Sequence, residues 1–224
     1  MTAIWMRSSS FTNTRTGLSN RLVGGGVGIS DLQSRGMGEG WSDFSALALL
    51  SEDGDDVNGT YPIGGYVTFQ LGGLEENYYF GIRRYPYSTD LSKNPFTFKD
   101  IDPAQASPHT GVPRSPIIGN RADQVHNIGE VWCGTLWDAR ARLVSRLGFA
   151  AGNGLILQLL TDGMKLTPAN PNFLQARDAI IQADQVLTGG ATAADLWGGF
   201  CEAGNGRERV FAARRHHRRH HRVI

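Results

Sequence analysis

GMGEGWSDFSALALL (36–50) decides how this 224-residue chain reads. Trp41, Phe44, Leu47 and Leu50 recur near helical spacing, which predicts an amphipathic helix after a glycine turn. Glu39 and Asp43 lie four residues apart, so that helix puts both carboxylates on one face. A metal-binding glutamate with an aspartate one turn on is an arrangement a zinc site uses, the aspartate steadying a histidine ligand. On the residues alone, a solvated acidic helix face is the commoner reading.

The chain around this helix divides by pattern. Residues 1–16 carry no clean period. GLSNRLVGGGVG (17–28) ends in a glycine-rich loop, and with no following Lys-Ser/Thr its glycines read as turn and close packing, not a phosphate cradle. SEDGDDVNGTYP (51–62) is a polar loop. YVTFQL (66–71) and YYFGI (78–82) are short, aromatic and strand-like, and residues 83–115 have the Pro, Ser and Asp content of an ordered surface loop. Residues 125–148, 152–166, 170–190 and 195–200 have helical patterns. In the third of these, Asn170 is placed to cap, Pro171 to enter the first turn, and Gly189 and Gly190 to follow the end. Trp132, Trp137 and Trp197 read as core.

Composition excludes some classes. No run of apolar residues is long enough to cross a membrane, and the N-terminus lacks the apolar stretch of a secretory signal. Cys133 and Cys201 permit one disulfide. The net charge of +1 conceals an asymmetry: residues 201–224 hold seven Arg and two Glu, residues 1–16 hold Arg7 and Arg15, and the body between them is acidic. A basic tail of this kind, with His216, His217, His220 and His221 among arginines, is compatible with metal or nonspecific nucleic-acid binding, with low complexity and disorder as the default. His126 opens its helix beside Gly129 and Glu130. A lone histidine there is more often structural or exposed than functional.

Several collinear segments carry a resemblance: GLSNRLVGGG (17–26), GMGEGWSDF (36–44), GIRRYPYSTDLSKNPFTF (81–98), VHNIGEVW (125–132), DGMKLTPANPNFLQARDAIIQAD (162–184), and LTGG followed by LW (187–197). Together they resemble the fungalysin family of secreted, thermolysin-like zinc metallopeptidases. The resemblance implies a mainly α (α+β) fold: the helical C-terminal half of such a catalytic domain, with a small β element near residues 62–82. It implies zinc as cofactor, protein or peptide substrates, an extracellular setting, and no membrane or nucleic-acid partner. By resemblance Glu39 is the third zinc ligand, Asp43 orients a zinc-bound histidine, and His126 stabilises the tetrahedral oxyanion.

The departure is at the front. The family has HEYTHG immediately before LSNRL, supplying two histidine ligands and the general base. This chain has TNTRTG (12–17), with Thr12 and Thr16 where the histidines belong and Asn13 where the base belongs. Codons permitted for Phe11–Gly17 (TTC ACG AAT ACA CGC ACG GG) read HEYTHG when grouped from the last base of the Phe codon. The same regrouping of Met1–Phe11 permits the acidic-then-apolar lead-in DGDMDEVII, and another frame after Phe200 permits ARRGTGENAF. The expected organisation is therefore an out-of-frame segment at 1–16, disordered or non-native; a fungalysin-like portion at 17–200; and an out-of-frame, disordered Arg/His tail at 201–224. Such a chain is expected to be marginally stable and inactive as written. The alternatives are a zinc-free pseudoenzyme that binds peptides or partners and, further off, a nucleic-acid binder acting through the tail.

Overall fold

A computed structural model describes residues 17–66, 77–104, 109–116, 118–119, 121–201, 203–204 and 207–208. The segment 1–16, most of the basic tail and most of the expected strand 66–71 lie outside the described residues. The fold is mainly α, as expected. Helix α1 (Leu32–Leu50) packs most extensively on α2 (Val125–Leu147). Helix α3 (Phe149–Leu166) runs back along α2 and pairs with α4 (Phe173–Thr188), and α5 (Ala193–Phe200) closes over α2. No helix among the described residues is long and apolar enough to cross a membrane.

The core sits at the α1–α2 crossing. Trp41, Trp132, Trp137, Phe44, Phe173 and Phe200 are buried there, Trp41 edge-on to Trp132 at 5.9 Å. Trp197 departs from expectation. It is half-buried, with the Arg177 guanidinium 4.8 Å from its ring centre, as an amphipathic ring over a cation would sit. Cys133 is buried and Cys201 half-buried, and the two are not joined in the permitted disulfide.

The glycines of GMGEG are helical contact points, not a turn. Helix α1 starts at Leu32 and runs through them. A Cβ on Gly40 would stand 2.5 Å from the Gly129 carbonyl oxygen, and one on Gly129 would stand 2.8 Å from the Gly36 carbonyl oxygen and from Glu39 Cβ. Each glycine in a helix costs about 1 kcal/mol relative to alanine. Here the missing side chains let two helix backbones touch.

Residues 83–88, expected in a surface loop, are buried. Within them, Tyr87 exchanges backbone hydrogen bonds with Tyr61 of the preceding segment in an antiparallel bridge. YYFGI does not form a strand: Asn77–Phe80 is a single helical turn, and the described pairing in this region is that bridge and one between Ile63 and Gly81, while a short antiparallel pair joins Ala203–Gly204 to Arg207–Glu208.

The capping assignment also changes. Asn172, not Asn170, caps α4, in a reciprocal box with Gln175. Asn170 has a left-handed backbone (φ 49°), and its Oδ1 accepts from Ser30 N at 2.6 Å and Ser30 Oγ at 2.9 Å, at the start of α1. The glycine-rich loop packs against the same turn: Gly24 (φ 61°) leaves no space for a Cβ beside Ala169. Close packing was the expected role of these glycines. At the other end of α4, Gly189 takes the left-handed conformation (φ 71°) expected of a C-terminal glycine.

Candidate functional site

The glycine crossing brings the first turn of α2 against the middle of α1. Glu39 and His126 therefore meet, His126 Nε2 lying 3.5 Å from Glu39 Oε2. Both side chains keep solvent access, 24% for Glu39 and 48% for His126. Asp43, one turn further along α1, is fully buried.

Asp43 is held by the segment at residues 83–88. Its Oδ2 accepts from Arg83 Nε at 2.6 Å and from the Tyr87 hydroxyl at 2.6 Å, and its Oδ1 accepts from Arg83 Nη2 at 2.8 Å. The same Nη2 lies 4.0 Å from Glu39 Oε2. Arg83 thus spans the two carboxylates that α1 places on one face. Burial alone would lower its pKa, but the carboxylate of Asp43 holds it well above the ordinary value, so it stays a cation. Burial beside Asp43 pushes the Tyr87 hydroxyl well up, keeping it a donor.

The next arginine makes a parallel pair with the other helix. Arg84 Nε donates to Glu130 Oε2 at 2.6 Å, its backbone N–H to Glu130 Oε1 at 2.7 Å, and its Nη2 to the Asn127 carbonyl at 2.8 Å. Adjacent arginines are each held by one helix, so this segment is tied to both α1 and α2. Inspection of the sequence did not single out Arg83 or Arg84. The available signal was a pair of arginines inside an aromatic run, which a solvated loop has no reason to contain.

In front of His126 lies a cavity of about 430 Å³, bordered by Ile82, Arg83, Ile118, Arg121, Gln124 and His126. It has apolar walls, a buried cation at its base and an imidazole at its rim. That combination suits an extended peptide with a side chain to bury and carbonyl groups to hydrogen-bond.

The sequence of the chain matches a known family. The family described as Fungalysin metallopeptidase (M36) matches residues 13–209. This chain belongs to the fungalysin metallopeptidase family. Similar proteins include the extracellular metalloproteinase MEP of Pyricularia oryzae, 39% identical with 88% of this chain covered. The extracellular metalloproteinase mep of Aspergillus fumigatus is 36% identical with the same coverage. Extracellular metalloproteinase 9 of Uncinocarpus reesii is 38% identical over 83% of this chain. The chain spans 28–30% of the length of these relatives.

A metallopeptidase zinc takes three protein ligands and leaves a position open. The described residues of this fungalysin chain fall short of that. Glu39 offers one carboxylate, with the Arg83 cation 4.0 Å away. No group of three or more His, Cys, Asp or Glu side chains that could hold a metal ion occurs among the described residues.

Proposed function

We propose that this chain carries the peptide-holding side of a secreted zinc metalloendopeptidase centre, and that it is inactive as written because it lacks HExxH. The observation that carries this reading is the meeting of Glu39 and His126, from two helices, at the edge of a cavity based on Arg83. Protein or peptide substrates, zinc and extracellular action come with the family, whose members named above are extracellular metalloproteinases.

In this reading each described residue has a defined task. Glu39 is the carboxylate contributed to the metal. Asp43 is saturated by Arg83 and Tyr87 on three hydrogen bonds, and its negative charge keeps Arg83 fixed and charged. His126 presents its Nε2 edge to the space beside Glu39, where a hydrogen-bond donor would stabilise a developing oxyanion. Arg83, paired with Asp43 and 4.0 Å from Glu39, holds the carboxylate face of α1 in place at the edge of the cavity. The residue types at 12, 13 and 16 (Thr12, Asn13 and Thr16) supply neither histidine ligands nor a general base.

We further infer that residues 1–16 and 201–224 are out-of-frame translation, 1–16 lying over bases that encode the HEYTHG helix. Sequencing the gene tests this directly: codons for Phe11–Gly17 that cannot spell HExxH in the neighbouring frame end the idea. The functional test compares two polypeptides on casein. The chain as written is expected to show no zinc-dependent cleavage after rigorous purification, and activity surviving that purification overturns the inactive reading. The same chain with its front re-read in the HEYTHG frame, joined to the preceding portion of the gene, is expected to cleave casein and to lose cleavage on Glu39→Gln. Cleavage unaffected by Glu39→Gln overturns the role given to Glu39.

A further inference from the structure

At the N-terminus of α2 a single side chain, Gln124, touches both the helix end and His126. Gln124 is the N-cap of the helix, and its Oε1 accepts the Asn127 backbone N–H at 3.0 Å. Its Nε2 lies 2.7 Å from Nδ1 of His126. We propose that Gln124 is a positioning residue for His126, fixing the imidazole as the tautomer that carries its proton on Nε2.

The argument is one of donor and acceptor capacity. A glutamine amide has one oxygen, which only accepts, and one NH₂, which only donates. The helix N-terminus takes the oxygen, because the Asn127 N–H is a donor without an intrahelical partner. The group left facing His126 is the NH₂. It can only donate, so Nδ1 must be the lone-pair nitrogen, and in a neutral imidazole the proton then resides on Nε2. Turning the amide over would set its NH₂ against the Asn127 N–H, two donors facing each other, and would uncap the helix. The cap thereby selects the tautomer.

The surroundings hold this geometry from two further sides. The Asn127 side chain donates to the carbonyls of Gly119 (3.1 Å) and Arg121 (2.7 Å), anchoring the cavity wall to the same helical turn. Nε2 lies 3.5 Å from Glu39 Oε2 and borders the cavity, so the fixed proton sits beside an acceptor at the cavity edge. His126 is thereby set as a hydrogen-bond donor toward the cavity without needing a second proton. The inference rests on the reading of His126 as the oxyanion donor, and its test is independent of cleavage.

The experiment is multiple-bond ¹H–¹⁵N NMR on the full chain labelled with ¹⁵N-histidine, at a pH where imidazole is neutral. His126 signals are those missing from His126→Asn. His109, held by Asp100 at 2.8 Å, reports in each variant whether the fold is intact. In the unsubstituted chain, Nδ1 is expected to be unprotonated and Nε2 protonated, with one tautomer populated. Gln124→Ala is expected to give a mixture. Gln124→Glu keeps an oxygen for the Asn127 cap and turns the second group into an acceptor, so the proton is expected to appear on Nδ1. A proton on Nδ1 in the unsubstituted chain, or a spectrum identical to that of Gln124→Ala, overturns the proposal. So does Gln124→Glu leaving the tautomer unchanged while His109 is unperturbed. A correct tautomer together with casein cleavage indifferent to His126→Asn in the re-read polypeptide would leave this inference standing and remove the role assigned to His126.

Discussion

Arg83 and Asp43 form a two-pronged ion pair inside the protein, 2.6 and 2.8 Å across, with neither side chain more than a few per cent exposed. Such a pair is dangerous to halve. Removing one partner strands a charge in the core, which costs about 3–5 kcal/mol. Asp43→Ala and Arg83→Met are each expected to lower stability by that order in urea unfolding. The double variant is expected to lose much less than the sum, since neither charge is left alone. Additive losses would show that the pair is not coupled.

The α1–α2 crossing predicts opposite outcomes for two glycines. Gly40→Ala drives a methyl into the Gly129 carbonyl, and overpacking of this kind costs about 1–3 kcal/mol. Gly154 lies in α3 with open space around it, so Gly154→Ala is expected to stabilise by about 0.5–1 kcal/mol. Urea midpoints moving in the same direction would contradict the crossing geometry.

Asp100 predicts a loss of stability in acid. Burial raises its carboxyl pKa, but hydrogen bonds from His109 and from Thr97 outweigh that and hold it below the ordinary value. A carboxyl with a depressed folded-state pKa stabilises the fold above its unfolded value of about 3.9, and that contribution is lost as pH falls through the folded value. Asp100→Asn is expected to be less stable at neutral pH and to flatten the decline of unfolding free energy below about pH 4. A decline as steep as that of the unsubstituted chain would remove Asp100 from the acid response.

Asn170 is expected to matter to a helix 140 residues away in sequence. Asn170→Ala removes the acceptor for Ser30 and leaves a left-handed backbone without the side chain that tolerates it. A lost helix cap costs about 1 kcal/mol. Hydrogen exchange should speed up at the start of α1, not at the start of α4, where Asn172 and Gln175 cap independently. Faster exchange confined to α4 would reverse the assignment.

Sequence periodicity located the helices because an amphipathic helix repeats its apolar residues locally. Glu39 and Asp43 were legible as one face for the same reason. The buried loop was not legible: Arg83 and Arg84 look like solvated charge until Asp43 and Glu130 are found opposite them, 40 and 46 residues away. Asn170 misled because a capping side chain has the same appearance whichever helix it serves.

The chain by itself determined the identity of its parts: helices at their periodic positions, a carboxylate pair on one face, and neither histidine nor acid at positions 12, 13 and 16. Tertiary structure decided which parts meet. Glu39 and His126 come together because Gly36, Gly40 and Gly129 let two backbones touch. That contact depends on the volumes of residues distant in sequence, and no local pattern encodes it.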